Sequence, residues 1–174
     1  FTDQGNWKVF VNYKIKNISK ENFKNYGDLI TTSNKNYESI NKDTTDSFFD
    51  LANIQIIGDD KRSRLNIFHA KKRNFPLKIN MLENHPFSSQ VFLPFNTTGF
   101  LVLVAPIGDK PKIDLIEIFK VSGGDGINFN PKVWHFPLIS LENEKYITID
   151  KKDADNNIEI YNFEQSEIFE LNYE

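Results

Sequence analysis

The feature that most constrains the fold is a succession of short segments rich in aromatic and β-branched residues, with almost no helical periodicity between them. One of them, "FLVLVAPI" (100–107), is apolar at nearly every position, as expected for a strand covered on both faces. Intervening loops such as "GDKPK" and "SGGDG" carry Gly, Pro and Asp. Strands are predicted at 48–57, 64–70, 90–95, 100–107, 113–121, 132–141, 145–150 and 158–163. So many short strands predict an all-β sandwich or barrel.

One short helix is predicted before the strands begin. Ser19 is a favourable N-cap, Glu21 suits the first turn, and Gly27 suits a left-handed exit from the helix. The polar stretch 31–46 is predicted to be a loop. Because the chain begins at Phe1, residues 1–12 are set apart as an N-terminal extension, and 13–174 are expected to form a single domain.

Composition excludes several classes of function. The 174 residues carry a formal charge of −3, which argues against a nucleic-acid-binding protein, because such proteins need a basic face. The chain has no cysteine, so any metal must be held by His, carboxylate or amide groups. No apolar run approaches the roughly 20 residues of a membrane span, and no signal peptide is visible, so the cytoplasm is the expected location.

Polar residues stand in strands that are otherwise apolar. In "MLENHPFSSQVFLPF" (81–95), Glu83 and His85 are two positions apart and therefore share a face, and Gln90 begins the next segment. In "KYITID" (145–150), Thr148 and Asp150 fall on the face opposite to the isoleucines. A barrel with these groups inside would be polar within and apolar outside. Asp150 is equally suited to start the turn that follows it.

The spacing of these residues resembles the two motifs of the cupins, which are jelly-roll barrels with a metal inside. The first motif is matched by Glu83-x-His85, four residues, Gln90, six residues, Thr97; the second by Gly124, five residues, Asn130-x-Lys132, two residues, His135. The resemblance implies a cupin domain over 13–174 in which Glu83, His85, Gln90 and His135 point inward. Such donors suit Ni²⁺, Zn²⁺ or Mn²⁺. A metal-free pocket is the competing interpretation, and His135 alone could be a core imidazole with one hydrogen bond.

A more specific resemblance runs from about residue 13 to residue 171. The matching landmarks are "FKNYGDLI" (23–30), "FFDLA" (48–52), "LENHPFSSQVFLP" (82–94), "GINFNPKVWHFPL" (126–138) and "YITID" (146–150). Together they resemble the ureidoglycolate lyase family, and "LENHPFSSQVF" is the most specific of them. The resemblance implies a homodimeric enzyme of allantoin catabolism that splits ureidoglycolate into glyoxylate and urea, with a divalent metal described as nickel.

Cleavage of ureidoglycolate needs a base for the hydroxyl proton and an acid for the departing urea. Glu83 or Asp150 is predicted to be the base. His85 and His135 are predicted to be metal ligands or proton donors, and Gln90 a ligand or a hydrogen-bond donor to the urea carbonyl.

The chain departs from the family where arginine is usual, at His69, near Ser47 and at Lys151, and where histidine is usual, at Asn130 and Phe136. Arginine holds a carboxylate in a bidentate fork, which a neutral histidine does not replace. We therefore expect Lys151, Lys78, a protonated His69 or backbone N–H groups to bind the substrate carboxylate, although His69 could simply fill space at a strand end. Two alternatives remain open: a cupin enzyme for another small polar acid, and a non-catalytic binding protein.

Overall fold

The computed structural model describes residues 13–152 and 156–174, so the prediction for the extension 1–12 lies outside the described residues. In chain order the elements are β1 (Ile15–Asn17), α1 (Lys20–Phe23), β2 (Gly27–Ile30), β3 (Glu38–Ile40), β4 (Thr45–Ser47), β5 (Ser63–Ala70), β6 (Leu77–Ile79), β7 (Met81–Asn84), β8 (Gln90–Pro94), β9 (Phe100–Ala105), a 3₁₀ turn (Ile113–Leu115), β10 (Glu117–Val121), β11 (Gly126–Phe129), β12 (Trp134–His135), β13 (Ile139–Ser140), β14 (Glu144–Lys151), β15 (Glu159–Asn162) and β16 (Phe169–Leu171).

Two sheets face each other. Sheet A has the order β1-β10-β9-β12-β7-β15, with β13 also paired to β9, and sheet B has the order β2-β11-β8-β14-β5. All these pairings are antiparallel except β1 with β10. Strands distant in sequence are neighbours in each sheet, which is the pattern of a jelly roll. The predicted all-β cupin class is confirmed.

Sheet A is covered on both faces, which explains the uninterrupted apolar run of β9. Phe100, Val102 and Val104 point into the inner core between the sheets. Leu101 and Leu103 point into an outer core behind sheet A, which the small sheet of β6 and β16 covers. Burial of each such large side chain stabilises the fold by about 1.5–3 kcal/mol. The prediction for 100–107 therefore holds for the six residues of β9.

The helix is shorter than the sequence predicts. Ser19 is the N-cap, with a capping box in which Ser19 and Asn22 bond each other's backbone N–H, but the helix ends at Phe23. Gly27 begins β2 instead of ending the helix. A Cβ on Gly27 would lie 1.8 Å from the carbonyl oxygen of Asn128, so the close approach of β2 to β11 requires glycine there.

One strand prediction and one loop prediction are wrong, and the strand predicted at 113–121 begins only at Glu117, after the 3₁₀ turn. Residues 48–57 are not a strand: apart from one isolated bridge between Ile56 and Ser88 they cross the molecule as an irregular segment. Conversely, the predicted loop 31–46 contains β3 and the start of β4, whose exposed residues carry no apolar alternation. In 132–141 the strand is split into β12 and β13, because Pro137 lies between them and cannot donate to a ladder. No described helix is long and apolar enough to cross a bilayer.

Candidate metal centre and barrel mouth

Both sheets contribute to one cluster of polar side chains inside the barrel. Glu83 of β7 lies directly opposite His135 of β12, so their side chains share the inner face of sheet A. His85 follows the end of β7, and Gln90 begins β8 in sheet B. The structure thus brings together Glu83, His85 and His135, and it places Gln90 on the inner face of sheet B, opposite the Phe129 that contacts His135.

The cluster is compact. His135 Nε2 lies 3.7 Å from Glu83 Oε1, and the two imidazole rings are 5.2 Å apart between centroids. One ligand atom from each of Glu83, His85 and His135 lies within 4.8 Å of the others, which is close enough for all three to reach a single ion. Phe129 of sheet B stacks on the His135 ring at 4.2 Å and holds it in place.

Backbone carbonyls determine which nitrogen of each histidine faces the cluster. His85 Nδ1 is 2.6 Å from the carbonyl oxygen of Asn157, and His135 Nδ1 is 3.0 Å from that of Val133. Because a carbonyl only accepts, each Nδ1 carries the hydrogen and each Nε2 presents a lone pair. This is the arrangement typical of metal-ligating histidines, whose other nitrogen bonds a backbone or carboxylate group.

Three of the cluster's polar atoms are buried without a hydrogen-bond partner among the described residues: His85 Nε2, His135 Nε2 and Gln90 Oε1. An unsatisfied buried polar atom typically costs about 1–3 kcal/mol, so such atoms call for an explanation. All three are lone-pair acceptors, and Glu83 adds a carboxylate beside them. A nitrogen- and oxygen-rich donor set of this kind fits a borderline divalent ion.

Burial controls the protonation of the cluster. Burial, together with the neighbouring His85, lowers the pKa of His135 to about 3, so the ring is neutral at pH 7. Burial raises the pKa of Glu83, and the nearby His85 partly offsets that effect. Glu83 is therefore more basic than an exposed carboxylate, while His135 is available as a neutral ligand.

The space beside the cluster is small. The cavity lined by Glu83, His135, Phe92 and Phe129 has a volume of about 20 Å³, which is room for an ion or a water molecule. The strands β15 and β5 end sheets A and B and do not pair with each other among the described residues, so the barrel is not closed by strand pairing on this side. On that side Ile160, opposite Glu83 on β15, is 54% exposed, and the Arg64 side chain of β5 is 47% exposed. We call this opening the barrel mouth.

Asp150 lies on the inner face of sheet B, next to the cluster. In the antiparallel pairing of β14 with β8, Ile149 lies opposite Val91. Asp150 is the next residue of β14, so it lies beside Gln90 of β8. It is 5% exposed and accepts hydrogen bonds from Arg64 Nε at 2.6 Å, Arg64 Nη2 at 3.2 Å and Asn66 Nδ2 at 3.4 Å. The structure therefore engages Asp150 in an ion pair across β14 and β5.

The three cations proposed as carboxylate anchors lie elsewhere. His69 pairs with Lys145 in the register of β5 with β14 and lies, like Lys151, on the outer face of sheet B. The Lys151 ammonium donates to the carbonyl oxygens of Ile57 and Asp60. Lys78 is on β6, in the small sheet behind sheet A.

Arg64 and Asn157 are the site residues that sequence reasoning missed. Alternation along "SRLNIFHA" indicates that Arg64 and Asn66 share a face, but only the pairing of β5 with β14 sets that face inward, beside Asp150. Asn157 contributes through its backbone carbonyl, for which sequence carries no signal.

The jelly roll and its inward-facing histidines, carboxylate and amide define a cupin-type protein with a candidate metal centre. Residues 11–170 match the profile of the family described as ureidoglycolate lyase. A protein named ureidoglycolate lyase from Pseudomonas aeruginosa (strain LESB58) is 36% identical over 155 residues, covering 88% of this chain and 92% of the relative. One of the same name from Pseudomonas putida (strain F1) is 33% identical over 159 residues, covering 91% and 95%. This chain belongs to the ureidoglycolate lyase family.

Proposed function

We propose that this protein is a ureidoglycolate lyase, which cleaves ureidoglycolate into glyoxylate and urea in allantoin catabolism. The observation that supports it most is the convergence of Glu83 with three unpartnered acceptor atoms, at the positions that carry the family resemblance. Membership of the family favours this activity over the two alternatives, a cupin enzyme for another acid and a non-catalytic binding protein.

The reaction transfers one proton within the substrate. Ureidoglycolate has one carbon that carries a hydroxyl, a carboxylate and a urea nitrogen. When the hydroxyl loses its proton, its electron pair forms the aldehyde carbonyl of glyoxylate and the carbon–nitrogen bond breaks. The nitrogen must receive a proton to leave as urea, so a single carboxyl group that accepts and then donates a proton is sufficient.

Glu83 is the residue we assign to this proton transfer. Its carboxylate is the acid of the cluster and lies beside the ligand atoms of both imidazoles, within reach of a substrate bound there. Asp150 is a weaker candidate, because its carboxylate is held by Arg64. His135 is neutral at pH 7 and is therefore assigned as a ligand and not as a proton donor.

We propose that His85 and His135 hold a divalent ion through Nε2, with Gln90 Oε1 and Glu83 as the oxygen donors. Nickel is the ion that the family resemblance implies. When bound, such an ion supplies a Lewis acid that lowers the pKa of the substrate hydroxyl. The protein's own contribution is to keep both imidazoles in the required tautomer through the carbonyls of Asn157 and Val133.

The test is release of glyoxylate and urea by the purified protein, with spontaneous breakdown of the substrate subtracted. We expect turnover that a chelator removes and added Ni²⁺ restores. We also expect Ni²⁺ to raise the melting temperature of the wild type and not that of His85→Asn, because only binding to the folded state stabilises it. Absence of turnover with every divalent ion tested would refute the lyase assignment. Turnover that persists in the presence of the chelator would refute the proposal that a bound metal ion is required.

We propose further that the protein is a homodimer in the cytoplasm and that the outer face of sheet B is the contact surface. Two cross-strand rows on this face are apolar across β8, β14 and β5, namely Leu93–Ile147–Ile67 and Val91–Ile149–Leu65, and their exposed part lies on β14 and β5, because Val91 is buried. Leu65 is 64% exposed and Ile67 52%. An exposed apolar patch is typical of a protein–protein contact, and a two-fold dimer brings the same patch of both copies together. Cell fractionation tests the location.

A further inference from the structure

The barrel mouth contains a cation that aligns with the candidate metal centre. On the inner face of sheet B the strand registers place Phe129, Gln90, Asp150 and Arg64 in one row, across β11, β8, β14 and β5. Neighbouring strands are about 4.8 Å apart, so the row leads from the Phe129 ring, stacked on His135, to Arg64 in about three strand spacings. Arg64 therefore lies at the outer end of the path from the barrel mouth to the centre.

The other two arginines of the chain lie off this path. Arg62 precedes β5 and is bonded through Nε and Nη2 to Asp60 on the surface. The Arg73 guanidinium lies 5.6 Å from the centroid of the Phe136 ring, and Phe136 belongs to the outer core behind sheet A. His69, Lys151 and Lys78 are likewise away from the inner face of sheet B.

We propose that Arg64 binds the carboxylate of ureidoglycolate and that Asp150 is the positioning residue that aims it. This rests on the proposed lyase function. The guanidinium matches a carboxylate in a two-point contact, and the carboxylate is attached to the carbon whose carbon–nitrogen bond breaks, so its position fixes that carbon relative to Glu83.

The Arg64–Asp150 pair is suited to such a role. Asp150 is buried, and it holds two atoms of the guanidinium, Nε and Nη2, in a fixed orientation. The Arg64 side chain is 47% exposed, so a carboxylate that enters the barrel mouth can contact it while Asp150 keeps its ion pair. Asn66 bonds both Asp150 and Thr148, which fixes the acid from the side away from solvent.

The deciding experiment measures kcat and KM for ureidoglycolate, and inhibition by glyoxylate and by urea, in the wild type and in variants. For Arg64→Gln we expect KM and the inhibition constant of glyoxylate to rise about 10- to 100-fold, while kcat stays within about threefold and inhibition by urea is unchanged. Arg64→Lys should recover part of the loss, because it keeps the charge without the fork. Arg62→Gln, the matched loss of a nearby arginine, should behave as the wild type.

Asp150→Asn separates positioning from catalysis. If Asp150 is a positioning residue, Asp150→Asn should raise KM about 3- to 10-fold and leave kcat unchanged. A loss of kcat at unchanged KM would instead make Asp150 the base and overturn the proposal. If Arg64→Gln folds poorly because the buried Asp150 charge is left unpaired, Arg64→Gln with Asp150→Asn removes both charges and should show the same rise in KM.

The two proposals fail in different ways. Wild-type turnover with an unchanged KM in Arg64→Gln would refute the role of Arg64 and leave the lyase standing. Absence of wild-type turnover would refute the lyase. Calorimetric titration of glyoxylate into the wild type and Arg64→Gln then still decides the carboxylate site, which is refuted if the two proteins bind glyoxylate equally.

Discussion

In the β5–β14 strand pair, the distribution of polar and apolar side chains between the two faces is the reverse of that in most sheets. At the barrel mouth the inner face carries polar and charged side chains, and the outer face carries apolar ones. The inner set is Arg64, Asn66, Thr148 and Asp150, and the outer set is Leu65, Ile67, Ile147 and Ile149. A polar sheet face inside a barrel needs hydrogen-bond partners in place of apolar packing, and these partners are other side chains, water, a ligand or a metal.

The reversal is confined to one end of the barrel. Towards the other end, the inner face of β14 becomes apolar at Tyr146, which is fully buried against Phe100 in the inner core. The aromatic end packs into the inner core, and the polar end holds the side chains for which a role in substrate binding is proposed. One strand of alternating residues can therefore contribute to the core, to the proposed site and to the proposed contact surface at once.

The largest effect is expected from Glu83→Gln. Loss of the group that moves the proton should lower kcat at least about 100-fold, with the melting temperature little changed. The matched control is Glu144→Gln. Glu144 is another buried carboxylate on the inner face of β14, but it lies at the other end of the barrel, where it accepts a hydrogen bond from Asn96. Steady-state release of glyoxylate measures both. Equal loss in the two variants would indicate a general effect of removing buried charge.

The next largest effect concerns the outer face. Ile67→Asp places a charge in the centre of the apolar surface in both copies of a dimer. We expect the dimer to dissociate about 100-fold more readily, since each copy loses roughly 1.5–3 kcal/mol of apolar burial. Sedimentation over a concentration series measures this. Ile107→Asp is the control, because Ile107 has a similar exposure, 55%, but lies in a turn. A wild-type monomer at all concentrations would contradict the assignment of this face.

The smallest effect is a dependence of stability on pH in the metal-free protein. The folded pKa of His135, about 3, is below the usual value of 6.5, so below pH 6.5 the unfolded chain binds a proton that the folded protein does not. Stability contributed by His135 is present above pH 6.5 and falls with pH below it. From pH 7.5 to pH 5.5 we expect a loss of about 1 kcal/mol.

Urea unfolding of chelator-treated wild type and His135→Asn measures that difference. The raised pKa of Glu83 acts in the opposite direction, and because both proteins contain Glu83, the comparison isolates His135. If the free energy of unfolding depends equally on pH in the two proteins, His135 binds a proton as readily in the folded state as in the unfolded state.

Sequence alone determined the all-β class and the inward-facing quartet of Glu83, His85, Gln90 and His135. Strand alternation and cupin spacing are local patterns, and residues two apart share a face whatever the strand pairs with. The N-cap at Ser19 was predictable for the same reason. The strand prediction for 48–57 was wrong. An apolar segment forms a strand only where a neighbouring strand can pair with it, and the sequence of the segment does not show whether one is present.

Only the tertiary structure decided which cation faces the centre. Arg64 and Asp150 are 86 residues apart, and their contact depends on the register of β5 against β14. A shift of one residue would turn Leu65 inward and Arg64 outward. The same register sends His69 to the outer face. Sequence identified the chemical groups, and long-range strand pairing decided which of them meet.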